Sequence, residues 1–269
     1  TMNRSEIFLV MVSGMGTIAG SVMGTYIGML GGTDPAAKVL FATHLLSASV
    51  MAVPGSIVLA KMLCPQTEEA TDHVAISGKE KENSNILDAI SSGTVTGVKL
   101  MTNIAAMLLV FISLVALANY ITEGVIGRYT GLNDWIVKIT DGKAQGLTFQ
   151  FILGVITSPF MWLIGVPSQD IMLVGSLLGQ KTILNEFVAY FQLQQWKDAG
   201  LFMYEKSILM STYILCGFAN ISSIGILLGG LGVLAPEKRG LISRIGVPAM
   251  IGGALVSVLS ATIIGMILG

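Results

Sequence analysis

Charge is segregated along this chain, and its long uncharged apolar stretches constrain the fold more than any other feature. The stretches without Asp, Glu, Lys or Arg are 7–33, 39–60, 100–122, 144–169, 207–236 and 245–269. An apolar segment of about 18 residues with almost no charge is long enough to span a bilayer as a helix. Several such segments cannot all be a cleaved signal peptide. The pattern predicts an all-α integral membrane protein, a polytopic helical bundle.

Composition excludes several classes of protein. Charged residues make up 12% of the chain, whereas a soluble domain has about 25%. The net charge of −1 provides no basic excess for nucleic acid, and the 53% apolar content is too high for a disordered chain. Two cysteines and two histidines are too few for a disulfide scaffold or a Cys- or His-based metal cluster. A solvated enzyme, a disordered chain and a nucleic-acid-binding protein are therefore excluded.

The order of apolar and polar segments predicts the organisation of the chain. The expected units are two transmembrane helices in 1–63, a polar loop with a surface helix in 64–97, a transmembrane helix in 98–120, an interfacial segment in 121–146, a re-entrant hairpin in 147–190 and two transmembrane helices in 207–268. A glycine-rich span, a Pro-containing turn and a second span occur in both 7–63 and 207–268. This recurrence favours a transporter of the inverted-repeat type.

The hairpin is inferred from turn residues inside apolar sequence. Gly165-Val166-Pro167-Ser168 separates two apolar arms, and such residues break helices. Backbone exposed at membrane depth is tolerated where it is packed in protein or lines a wet cavity. Two ordinary spans joined by a tight loop are the alternative.

Two spans carry features that favour discontinuous transmembrane helices. Thr17 lies near the middle of a span whose glycines recur every four residues, a spacing that also suits simple close packing of helices. If that helix unwinds, the Thr17 hydroxyl and the freed carbonyls are ligands for a small hard cation. Asn220, Ser222 and Ser223 lie at the centre of another span. Such groups either hydrogen-bond neighbouring helices or form a substrate site in a broken helix.

Glu186 is the single residue that most strongly indicates a functional site. A carboxylate at the centre of a transmembrane helix costs about 2.5–3.5 kcal/mol on insertion scales, and such residues usually face a cavity and serve transport. A shallow position in which Glu186 reaches the interface is the alternative. The sequence contains no Ser-His-Asp set and no H-E-x-x-H motif. A membrane enzyme or a non-transporting membrane subunit nevertheless remains an alternative to a transporter.

Residues 179–190 resemble the G-x-K-x-x-x-N-E-F-V-A-Y motif of the concentrative nucleoside transporter family. Cys216 to Ser223, followed by the glycine-rich run 228–232, is similar to a second block of that family. The resemblance implies a secondary active transporter that imports nucleosides by symport with Na⁺, or with H⁺ in some members. It also implies a multi-pass homotrimer in the lipids of the cell (inner) membrane, with alternating access and no nucleic-acid partner.

Site residues follow from the same resemblance, position by position. Glu186, Asn220 and Ser223 would hydrogen-bond the ribose, and Phe218 would pack against the nucleoside. The unit 207–268 would thus be the substrate half.

Thr17 and Ile18 match family positions that help to coordinate Na⁺, so 1–63 would be the cation-site half. The family's first hairpin carries a G-Q-T-E motif, which this sequence lacks; Gln66-Thr67-Glu68 lies in a polar loop instead. We therefore expect the chain to be a C-terminal portion without the N-terminal helices and first hairpin.

Overall fold

The computed structural model describes residues 2–67, 85–140, 142 and 144–269. Within these ranges every regular element is a helix, which confirms the predicted all-α class. The elements are α1 (Arg4–Gly16), α2 (Gly20–Gly31), α3 (Pro35–Leu63), α4 (Ile86–Asn119), a π-helical segment (Tyr120–Gly127), α5 (Arg128–Thr130), α6 (Leu132–Ile139), α7 (Phe149–Leu163), α8 (Ile171–Ile183), α9 (Glu186–Asp198), α10 (Glu205–Leu215), α11 (Ile221–Leu234), a 3₁₀ turn (Pro236–Lys238) and α12 (Arg239–Ile267).

Long and short apolar helices coexist in the described part of the chain. The segments long and apolar enough to cross a bilayer are Arg4–Gly31, Pro35–Leu63 and Pro236–Ile267. Shorter apolar helices are Phe149–Leu163, Ile171–Ile183 and Ile221–Gly232. The uncharged stretch 207–236 therefore contains two short helices in succession, α10 and α11, in place of one continuous span.

The first interruption, residues 17–19, separates α1 from α2. Thr17 has extended backbone angles (φ −108°, ψ 167°), and Ala19 is extended as well (φ −73°, ψ 137°). The Thr17 hydroxyl donates to the carbonyl of Ser13 at 3.0 Å, which satisfies one carbonyl of the last helical turn. The helix is therefore interrupted at Thr17, which agrees with the expected discontinuous transmembrane helices.

The second interruption, residues 216–220, separates α10 from α11. Gly217 has φ +100°, a conformation that side chains other than glycine rarely adopt. Asn220 then caps α11, because its Oδ1 accepts from the Ser223 amide at 2.9 Å while the Ser223 hydroxyl accepts from the Asn220 amide at 3.2 Å. The polar cluster of this span therefore starts a new helix, as the discontinuous-helix interpretation predicts.

The two interruptions touch each other in the core. A Cβ atom on Gly217 would lie 2.7 Å from the carbonyl oxygen of Gly16 and 2.9 Å from that of Met15. On α12, a Cβ on Gly253 would lie 2.7 Å from the Cβ of Met15 and 3.2 Å from that of Ala219. Only glycine at both positions lets the broken backbones approach α12 and one another this closely.

The predicted internal repeat is visible in the order of elements. In both halves a broken helix is followed by a turn with proline and then by a helix of 29 residues, α3 or α12. Pro35 begins α3 behind an Asp34 cap, and Pro236 begins the turn that leads into α12. Proline fits these positions because the first helical turn has no use for its missing N–H.

The central region corrects one predicted boundary. A surface helix within 64–97 and a separate span at 98–120 were expected, but α4 is one continuous helix from Ile86 to Asn119. Asn85 caps it by accepting from the Asp88 amide at 2.9 Å, and no proline follows before Asn119 to end it. The remainder of the predicted polar loop, residues 68–84, lies outside the described residues.

The segment predicted to be interfacial continues α4 directly as the π-helical segment. In α6 beyond it, Trp135 is 57% exposed while its neighbour Ile136 is buried. This two-faced arrangement suits a helix that lies flat on a bilayer surface. The interfacial position of 121–146 stays a prediction.

The hairpin prediction needs a second correction at its C-terminal end. Its first arm is α7, and the turn contains Gly165 at φ +82°. The second arm was expected to continue to Tyr190, but α8 ends at Ile183 and α9 begins at Glu186. The physical reason is Asn185, whose side chain accepts from the Val188 amide at 2.9 Å and so starts a separate helix.

Gly217→Ala is expected to destabilise the protein by about 2 kcal/mol or more, because it combines an unfavourable positive φ with a clash against α1. Gly225→Ala is the matched control, since a Cβ there meets nothing within 4 Å. The measurement is the thermal unfolding midpoint of each purified variant in detergent. Equal midpoints for the two variants would contradict the close contact of the two interruptions.

Candidate substrate and cation site

Glu186 is held between two other parts of the fold. It lies at the first position of α9, and its Oε1 accepts from the hydroxyl of Tyr26 on α2 at 3.4 Å. Its Oε2 accepts from the side-chain amide of Asn220 at the start of α11 at 3.1 Å. A single carboxylate therefore connects the segments that follow the first and second interruptions.

Asn220 and Ser223 are almost completely buried, at 2% and 0% exposure. Besides the capping bonds, the Asn220 Oδ1 accepts from the Ser222 hydroxyl at 2.6 Å. The Ser223 hydroxyl donates to the carbonyl of Asn220 at 2.6 Å. The structure thus brings Glu186, Asn220 and Ser223 together, although they are up to 37 residues apart in sequence.

Phe218 lies inside the second interruption, two residues before Asn220, and is half-buried. Its ring belongs to a segment without helical hydrogen bonds, next to the positive-φ residue Gly217. The backbone around it is therefore set by the helix ends on either side.

Thr17 and Ile18 form most of the first interruption and are both half-buried. The Ile18 side chain packs against the cluster around Tyr26 and the cluster around Ala48. The Thr17 hydroxyl donates a hydrogen bond to the carbonyl of Ser13, and its oxygen keeps lone pairs for a cation. Since α1 ends at Gly16, its last carbonyls lack amide donors within the helix and are further oxygen atoms that could hold a cation.

Sequence reasoning missed Tyr26, which is fully buried. Its ring stacks on Tyr190 with centroids 4.0 Å apart, and the Tyr190 hydroxyl donates to the carbonyl of Thr212 at 2.8 Å. The available signal was that Tyr26 is the single aromatic residue between Phe8 and Phe41. Tyr26 thereby fixes one oxygen of Glu186 with a side chain from α2.

Sequence reasoning also assigned no role to Lys181. Lys181 is fully buried, and its ammonium group donates to the carbonyl of Ile214 at 2.8 Å and to the Ser257 hydroxyl at 2.9 Å. The Ser257 hydroxyl in turn donates to the carbonyl of Cys216 at 2.6 Å. The positive charge therefore lies at the end of α10.

A cavity in the described chain lies away from these residues. It has a volume of about 900 Å³ and is lined by α7, α8, α9 and the π-helical segment, including Glu123, Gln150 and Trp196. Neither Glu186 nor Asn220 lines it. The candidate site is consequently defined by converging side chains at the two interruptions and not by the size of a cavity.

The fold and this site define a multi-pass membrane protein with two interrupted helices whose interruptions touch. A family model described as the Na⁺ dependent nucleoside transporter C-terminus matches residues 44–265. The chain therefore belongs to the concentrative nucleoside transporter family. This is a family of transporters and not of membrane enzymes.

Relatives and solved structures agree with this assignment. The chain is 39% identical over 271 residues to an uncharacterized transporter of Haemophilus influenzae, with 100% of this chain and 60% of that protein aligned. It is 38% identical over 280 residues to sodium/nucleoside cotransporter 1 of Rattus norvegicus, with 99% and 40% aligned. The structure of CNTnw in an inward-facing substrate-bound state superimposes with a TM-score of 0.81 at 36% identity, covering 98% of this chain and 57% of that one. The chain thus spans 60% or less of these proteins.

Asn220→Ala is expected to lower the free energy of unfolding by about 1–2 kcal/mol, because α11 loses its cap and Glu186 loses a donor. Ser222→Ala is the control, since it removes one bond to Asn220 and leaves the capping bonds intact. Thermal unfolding in detergent measures both variants. A larger loss in the Ser222 variant would show that Asn220 does not hold this helix start.

Proposed function

We propose that this chain forms the ribose-binding and cation-binding parts of a secondary active transporter that imports nucleosides together with Na⁺. The observation that carries this proposal is the Glu186 carboxylate, held by Tyr26 and Asn220 where two interrupted helices meet. Family membership supports it, because the matched family model describes Na⁺ dependent nucleoside transporters. In alternating access, closure around the site is favourable when both substrate and ion are bound.

The proposed substrate half is 207–268 together with Glu186. A carboxylate accepts hydrogen bonds from vicinal hydroxyls, and an amide both donates and accepts, so Glu186 and Asn220 suit the ribose. The bond from Tyr26 to Glu186 is long, at 3.4 Å, and a sugar hydroxyl can replace it at shorter distance. The Ser223 hydroxyl adds a further partner, and Phe218 offers an aromatic face to the base.

The proposed cation-site half is 1–63, with Na⁺ at Thr17 and Ile18. The ion would be bound by the Thr17 hydroxyl and by carbonyls of the first interruption, which are oxygen ligands suited to a hard cation. A cation at the end of α1 is also stabilised by the partial negative charge of a helix C-terminus. Tyr26 follows on α2, so the ion orders the helix that orients Glu186. Coupling to H⁺ instead of Na⁺ is the alternative for the ion.

The proposed re-entrant hairpin is supported by the length of its arms. Helix α7 has 15 residues and α8 has 13. At about 1.5 Å per residue each arm is roughly 20 Å long, shorter than the hydrocarbon core of about 30 Å. We infer that the hairpin enters and leaves the membrane on one side.

A homotrimer in the cell (inner) membrane is proposed from the family resemblance, with α4 as supporting observation. Leu87, Leu109 and Ile112 on α4 are 77%, 69% and 59% exposed. Apolar side chains on this scale need either membrane lipids or neighbouring subunits around them. Cross-linking of the protein in its membrane and sizing of the product tests the trimer directly.

Glu186→Gln is expected to weaken uridine binding by about tenfold or more, because a charged acceptor for the ribose hydroxyls is lost. Glu205→Gln is the control, since it neutralises an exposed carboxylate at the N-terminal end of α10. Calorimetric titration in Na⁺, repeated with choline in its place, measures both variants. Unchanged uridine affinity in the Glu186 variant would remove its proposed role in binding ribose.

Thr17→Ala is expected to raise the Na⁺ concentration for half-maximal uptake several-fold, about 1 kcal/mol of lost ligand interaction. Thr43→Ala is a matched control, because the Thr43 hydroxyl makes the same bond to the carbonyl four residues earlier, at 2.9 Å, on the exposed side of α3. Uridine uptake into proteoliposomes over a Na⁺ series measures the difference. A similar Na⁺ dependence in both variants would argue against a cation at Thr17.

A further inference from the structure

Lys181 is a fully buried ammonium group whose hydrogen bonds point to the second interruption. Burying a charge costs several kcal/mol after relaxation unless close partners compensate it. Its two partners are the carbonyl of Ile214 and the hydroxyl of Ser257. Through Ser257 the contact extends to the carbonyl of Cys216. Every one of these oxygens lies at, or is bonded to, the C-terminal end of α10.

The C-terminal end of α10 is stabilised by positive charge because the C-terminal end of α1 lies beside it. The last carbonyls of a helix lack amide donors and carry about half a negative charge together. The end of α1 carries the same sign, and its carbonyls of Met15 and Gly16 lie against Gly217. Two helix ends of equal sign therefore meet where the two interruptions touch, and these residues are buried, so screening by solvent is weak.

We propose that Lys181 is a tethered cation that occupies the second interruption in the way that exchangeable Na⁺ occupies the first. The Na⁺ part of this comparison rests on the proposed function. Lys181 is a positioning residue: it holds the end of α10, and through it the backbone of 216–220 that aims Asn220 at Glu186. One half of the repeat thus carries its cation permanently, and the other half takes its cation from solution.

Lys197 provides a useful contrast. It also donates to the carbonyl of a helix end, that of Leu30 on α2, and it lies 3.7 Å from Asp198 with its side chain 24% exposed. Leu30 lies at the C-terminal end of α2, whereas the first interruption precedes its N-terminal end. The Lys197 ammonium group has both solvent and the Asp198 carboxylate nearby. Lys197→Met therefore removes a lysine from the end of a helix without changing the contact between the two interruptions.

The first experiment compares Lys181→Met with Lys197→Met. Methionine keeps the length and apolar volume of the buried stem and removes the charge. Uridine affinity is expected to fall by about tenfold or more in the Lys181 variant and to stay at the wild-type value in the Lys197 variant. Wild-type affinity in Lys181→Met would overturn the proposal, because space filling alone would then suffice.

A second experiment keeps the proposal testable if the methionine variant does not fold. Lys181→Ala leaves room beside Ile214 and Ser257, and ethylammonium carries the missing charge in a form small enough to enter. Ethylammonium is expected to raise the thermal unfolding midpoint of Lys181→Ala above its value in equal choline, with no such rise for wild type. Equal midpoints in the two salts would overturn the proposal. This readout needs no nucleoside, so it separates failure of the tethered cation from failure of the proposed transport function.

Discussion

The contact between the two interrupted helices is the constraint on which the rest of this structure depends. Gly217 places its backbone directly against the carbonyls that end α1, so the protein concentrates free backbone groups at one point in its interior. Such groups are costly in a membrane unless each finds a partner. Asn220 satisfies the Ser223 amide at the start of α11, and Lys181 with Ser257 satisfies carbonyls at the end of α10. These buried polar residues therefore supply hydrogen-bond partners for the backbone groups that the two interruptions leave free.

The proposed coupling between ion and substrate has a short physical route in this arrangement. Tyr26 is two turns beyond the first interruption and Asn220 ends the second, yet both donate to the carboxylate of Glu186. Stacking of Tyr26 on Tyr190 ties α2 to α9, the helix that Glu186 begins. Ordering or disordering of the first interruption is consequently transmitted to Glu186, the group proposed to bind ribose. The route consists of the stacked rings of Tyr26 and Tyr190 and the hydrogen bond from Tyr26 to Glu186.

The interruptions could be predicted from sequence because their causes are local. Glycines around Thr17 and the Asn220 cluster each weaken a helix where they stand, and the structure breaks at both. The partners of Lys181 could not be predicted, since Ile214 and Ser257 are 33 and 76 residues away. The break before Glu186 was missed for a different reason: Asn185 was considered part of an apolar arm, although asparagine is a strong helix cap. Tyr26 was missed because one buried ring in a glycine-rich span resembles ordinary packing.

An asymmetry between the two halves follows from the proposed tethered cation at the end of α10 and the proposed Na⁺ at the end of α1. A tethered ammonium group is present at all times, so the backbone before Asn220 is organised before any substrate arrives. The proposed Na⁺ is present only when bound, so the end of α1 would be fully stabilised only in the ion-loaded state. Glu186 contacts Tyr26 in the first half and Asn220 in the second half. Both contacts are therefore held in place only when the first half is ordered as well. A ligand that favours the geometry with both contacts must bind more tightly with the ion present, and the ion must bind more tightly with the ligand present.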